Sequence, residues 1–218
     1  MKPHIGALVV AAALLPALGQ AQGVQFTAGG FAAQQMVHSH VDDLLTPADD
    51  RFSGMVLGAE GGLVTDRFVV RLRYAEGHVN PKAGSTAAAR DVVEGEALVG
   101  VRAMPWLTLW VGPGARAYTT ADGDQRWLLW SGRVTGRGTL LPGRMQTFIE
   151  IWGALSGKVG NPSMKAGGRG ANGGLELRLS ESSSFWGRLG YRIESSHAAG
   201  MRETVESLTF SVIYGFPQ

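Results

Sequence analysis

The stretch Glu206-Ser207-Leu208-Thr209-Phe210-Ser211-Val212-Ile213-Tyr214-Gly215-Phe216 decides the reading of this chain. Every second residue back from Phe216 is large and apolar: Tyr214, Val212, Phe210 and Leu208. The residues between them are mostly small or polar. A period of two is the signature of a strand with one greasy face.

Working outward, the same period divides the chain into ten segments. They are 24–34, 52–64, 67–77, 90–103, 107–118, 126–139, 144–157, 169–180, 184–195 and the terminal stretch. Short connections at Thr65-Asp66, Met104-Pro105-Trp106, Leu140-Leu141-Pro142-Gly143 and Glu181 to Ser183 alternate with longer polar ones. Each segment has the 9–11 residues that a tilted strand needs to cross hydrocarbon. No helix-period segment competes and no internal repeat stands out. The first segment carries Val24, Phe26 and Ala28 with the alternation of the last, so the two should pair and close the sheet, leaving no free edge.

Ahead of the strands, Met1 to Ala21 reads as a secretory signal peptide. Lys2 supplies a positive start, Ile5 to Leu18 an apolar run, and Gly19 and Ala21 the small residues of a cleavage site. Pro16 interrupts the run, which is shorter than a comfortable membrane helix. The expected division is therefore 1–21 leader and 22–218 barrel. Cysteine is absent, so disulfides, thiolate metal sites and a lipidated cysteine are excluded. The net charge of +2 gives no nucleic-acid footprint.

An exported chain that ends on a greasy strand and an aromatic resembles the small Gram-negative outer-membrane β-barrels. It departs from them in carrying Pro217-Gln218 after Phe216. The resemblance implies an all-β, closed, antiparallel up-and-down transmembrane barrel with both termini on the periplasmic side. It implies outer-membrane lipid, the outer-membrane assembly machinery and periplasmic chaperones as partners, with Leu208, Phe210, Val212, Tyr214 and Phe216 forming the assembly strand.

The faces opposite the apolar ones are charged. Of the 20 Lys and Arg residues, 16 are Arg, and most fall inside segments. Arginine binds a carboxylate through a planar fork and suits confined sites. Turn lengths place Glu60 opposite Arg71, Glu94 opposite Arg116, Arg133 opposite Glu150 and Glu176 opposite Arg188. Side chains directly opposed on one face lie about 5 Å apart and can bond. Such pairs contribute about 0–1 kcal/mol on a wet surface. In a protein-walled lumen they offset a heavy desolvation cost. These eight residues are therefore expected to line a largely filled interior. A slight excess of strand Arg over Glu would give any pore a mild anion preference. Trp110, Trp152 and Trp186 share the charged parity. Trp106, Trp127 and Trp130 suit interfacial anchoring.

Reactive-looking clusters are few. His38-Ser39-His40-Val41-Asp42-Asp43 puts two imidazoles on one face, without a second cluster to complete a metal shell. Glu194, Ser196 and His197 contain the residue types of a serine nucleophile site, as in outer-membrane lipid deacylases, without their spacing. Omptin-family proteases are also ten-stranded and use His and Asp near the outer mouth, but no residue carries over. The expected role is structural or adhesive, or that of a very narrow pore, with no cofactor or metal. The alternatives are an enzyme at the outer mouth (deacylase or protease) and a soluble periplasmic barrel binding an apolar ligand.

Overall fold

The computed structural model describes residues 24–42, 48–83, 85, 87–120, 123–160 and 164–215. The Met1–Ala21 leader, Asp43, Phe216 and Pro217-Gln218 lie outside the described residues.

Ten strands follow in order: β1 (Gln25–Val41), β2 (Ala48–Val64), β3 (Phe68–Pro81), β4 (Arg90–Met104), β5 (Leu107–Thr120), β6 (Gly123–Leu141), β7 (Met145–Val159), β8 (Met164–Arg178), β9 (Phe185–Ala198) and β10 (Met201–Tyr214). Each pairs antiparallel with the next, and β1 pairs with β10 to close the barrel. Ala28 faces Tyr214 and Val41 faces Met201 across that seam.

Several strands run further toward the end away from the termini than the sequence periods indicate. β1 extends past Gln34 because Gln35, Val37 and Ser39 go on being buried on alternate positions. β8 starts at Met164 and β9 runs on to Ala198. The β9–β10 connection shrinks to Ala199-Gly200, where Gly200 has φ of +68°, a conformation open to residues without a Cβ. The expected contrast between long and short connections is thus largely absorbed into longer strands.

Two registers differ from the sequence reading. The β2–β3 hairpin turns on Asp66-Arg67, not Thr65-Asp66. The Thr65 N–H donates to the Phe68 carbonyl, and the Phe68 N–H donates to Thr65 Oγ1, which closes the turn one residue later. Glu60 therefore faces Arg73, and Arg71 faces Gly62. The β6–β7 hairpin turns tightly on Pro142-Gly143, and a bulge near Leu140 takes up a residue. Arg133 then faces Trp152, and Glu150 faces Thr135. Both shifts are by two residues, so every side chain keeps its face.

The barrel is apolar outside. Leu57, Phe68, Leu72, Ile149, Leu155, Leu189, Phe210 and Tyr214 are each at least half exposed, consistent with a face meant for hydrocarbon. Phe185 and Tyr214 meet edge to face at 5.2 Å near the termini end. The charged parities point inward.

Candidate functional site

Inward glycines make room for the lumen's aromatic side chains. A Cβ at Gly58 would lie 2.3 Å from Phe31, at Gly100 2.6 Å from Trp110, and at Gly170 2.4 Å from Trp152. The rings are thus laid flat over neighbouring strands, and guanidiniums stack on them. Arg71 lies 5.0 Å from the Trp110 ring and Arg133 5.4 Å from Trp152.

Around these rings the charges form three tiers. Nearest the termini, Arg188 bonds Glu60 at 3.0 Å and Glu176 at 2.8 Å, and Arg137 bonds Glu176 at 2.7 Å. In the middle, four residues make a closed ring of alternating sign. Arg71 reaches Glu150 at 2.9 Å and Glu96 at 3.2 Å; Arg133 reaches Glu96 at 2.5 Å and Glu150 at 3.2 Å. Thr135 donates to Glu150 at 2.8 Å. In the third tier Glu94 binds Arg116 at 2.8 Å and Arg192 at 2.9 Å, while Arg116 also holds Glu194 at 2.6 Å and Glu203 at 3.4 Å. Gln35 donates to Glu94 and Tyr118 to Glu203.

The eight residues singled out from the sequence all face this lumen. Glu94 and Arg116 are directly opposed and bonded, as are Glu176 and Arg188. Arg133 and Glu150 touch diagonally. Glu60 and Arg71 are not paired: Glu60 goes to Arg188 across the closure, and Arg71 goes to Glu150 on the far wall. Turn arithmetic finds neighbours within a hairpin and has no information about partners across the barrel. Glu96, Arg137, Arg192 and Glu203 escaped it for that reason.

Both ends of the charged column meet apolar side chains. At the end away from the termini, Val37, Phe52, Val79, Val92, Tyr118, Trp127, Val159 and Val205 pack into one buried cluster. Trp127 thus fills the lumen and does not anchor at the interface, because its odd parity on β6 points inward; Trp130 and Trp106 do face out, about half exposed. At the termini end Val64, Val69, Leu98 and Trp110 cluster, with Trp186 and Ile213 buried beside them. The space left among the charges forms adjoining cavities of about 60 Å³ each, neighbours sharing Arg73, Glu96 and Arg133 or Glu60, Arg71 and Arg188 as lining.

The reactive-looking clusters do not assemble. Ser196 is buried facing in, His197 faces out, and Glu194 is held by Arg116. His38 pairs with Asp49, His40 lies 3.8 Å from Asp42, and His78 bonds Asp91 at 2.8 Å, all on the outer wall. Among the described residues no group of three or more His, Cys, Asp or Glu side chains could hold a metal.

An outward apolar wall, an ion-paired interior and a seamless ten-strand closure define a transmembrane β-barrel of the outer-membrane class. The outer membrane protease OmpT from Escherichia coli superposes on it with a TM-score of 0.56 at 7% identity, covering 90% of this chain and 98% of that one. At that identity the likeness concerns the fold. The translocator domain of the autotransporter NalP from Neisseria meningitidis gives 0.43 at 12%, covering 97% and 96%. An outer-membrane channel from Pseudomonas putida F1 gives 0.48 at 10%, covering 89% and 96%. No family model and no curated protein matches the sequence.

Proposed function

We propose that the chain is an integral protein of a Gram-negative outer membrane, exported through the Met1–Ala21 leader, and that it serves as a sealed structural barrel. The observation that carries this is the lumen. Six arginines and seven glutamates neutralise one another across it, and the Val37–Phe52–Tyr118–Trp127 cluster closes its outer end. Arg73, which stacks 4.3 Å above Phe31, and Arg90, which stacks 4.0 Å above Phe52, add two more cations, so the inward arginines slightly outnumber the glutamates. A soluble barrel holding an apolar ligand would need the opposite arrangement, with its apolar face inward and its charges on the outer wall.

Outer-membrane lipid, the assembly machinery and periplasmic chaperones are its partners in this reading, the machinery acting on the strand Leu208 to Phe216. Planar-bilayer recording tests it. The refolded protein is expected to give no conductance steps, and a steady open channel would refute a sealed barrel. Orientation has its own test. Lys82, Lys158 and Lys165 all lie at the end away from the termini. A membrane-impermeant amine reagent should therefore label them on intact cells.

Adhesion is the second reading, favoured by β1 and β2 carrying His38, His40, Asp49 and Arg51 outward at that same end. Equal surface attachment of cells with and without the protein would remove it.

A further inference from the structure

The lipid-facing wall is not uniform. One row of paired residues runs Tyr74, Gly95, Ala115, Leu128, Lys158 and Lys165 across β3 to β8. Gly95 and Ala115 sit low between Tyr74 and Leu128. A Cβ added at Gly95 would meet nothing within 4 Å. Tyr74, Gly95, Ala115, Leu128 and Lys158 of this row, with Val93, Ala117 and Arg126, line an outward groove of about 510 Å³, and Lys165 stands next to it across from Lys158. Cations gather at its outer end. Lys158 stands directly opposite Lys165, an arrangement of like charges that is unfavourable by itself. Neither lysine has an ion-pair partner among the described residues. Arg126 is paired with Asp124 at 2.9 Å and is otherwise well exposed.

We propose that this groove is a binding site for one phosphate-bearing membrane lipid. An acyl chain lies along Gly95 and Ala115 between the Tyr74 and Leu128 side chains. The phosphate sits on Lys158 and Lys165, with Arg126 beside it. An anion between the two lysines removes their mutual repulsion, and the chain fills a gap that straight lipids packed against a bumpy wall leave open. The site depends on the membrane-inserted reading above.

The test uses the refolded barrel in detergent and in phosphatidylcholine vesicles. Native mass spectrometry is run with dioleoyl phosphatidic acid, phosphatidylcholine and inorganic phosphate. The parent should retain one phosphatidic acid in preference to phosphatidylcholine. Lys158→Gln/Lys165→Gln should weaken retention by about 30-fold, as expected for two basic side chains lost at an anionic surface. Gly95→Leu should weaken it too, by filling the groove while leaving the charges in place. Heat-modifiable gel migration checks that each variant is folded. Phosphatidic acid held no better than phosphatidylcholine, or held equally by both variants and the parent, overturns the site. So does complete displacement by inorganic phosphate, which would mean that the acyl groove contributes nothing. Failure of the parent to insert into vesicles overturns the membrane reading and this site together; insertion without lipid preference overturns this site alone.

Discussion

Glu176 is the most informative residue to remove. It is fully buried, and it holds Arg137 at 2.7 Å and Arg188 at 2.8 Å. Arg188 keeps a second carboxylate in Glu60, whereas Arg137 has no other carboxylate within 4 Å among the described residues. Glu176→Ala therefore strands one guanidinium in the lumen. Breaking a buried pair by deleting one partner costs about 3–5 kcal/mol. Removing both charges in Glu176→Leu/Arg137→Met leaves Arg188 with Glu60 and puts apolar volume in their place. Such replacements are often neutral or better, so most of the loss should be recovered. Glu150→Gln makes the comparison: Glu96 bridges the same two arginines, so the ring retains a carboxylate for each. It should cost less than Glu176→Ala. The assay is urea unfolding of the barrel in phospholipid vesicles, followed by tryptophan fluorescence and gel migration. A loss below about 1 kcal/mol for Glu176→Ala, the range of a wet surface pair, would refute the account of the lumen. So would a double variant no better than the single one.

Other outcomes follow from the same structure. Phe210→Arg, on the outer wall midway along the apolar part of β10, should cost about 2–4 kcal/mol in the same unfolding assay. Gly170→Ala drives a Cβ to 2.4 Å from Trp152 Nε1 and 2.7 Å from the Ile193 carbonyl, so about 1–3 kcal/mol of overpacking is expected. Gly95→Ala, facing open space, should stay within about 0.5 kcal/mol of the parent. Phe52→Ala/Trp127→Ala removes the two largest apolar side chains of the outer cluster besides Tyr118; small conductance steps should appear in bilayer recordings where the parent shows none.

The alternation from Leu208 to Tyr214 was sufficient to say which side chains share a face. Strand parity is a local property of the backbone, and it survived both register shifts because each was by two residues. The same parity kept all eight charged residues on one face even where the pairing read from turn lengths was off, as for Glu60 and Arg133. Which face lay inside needed the closed structure, since alternation is the same for a soluble barrel and an inverted one. Register also lay beyond the sequence. Whether Thr65 or Asp66 opens a turn is decided by one backbone bond, Thr65 N–H to the Phe68 carbonyl, and one from the Phe68 N–H to the Thr65 hydroxyl, and the bulge near Leu140 leaves no compositional mark. The partners across the lumen, Arg71 with Glu150 and Glu60 with Arg188, are 79 and 128 positions apart. They meet because a ten-strand sheet closes on itself at a radius that arginine and glutamate can span, and that distance is set by the whole sheet and by no segment of the chain.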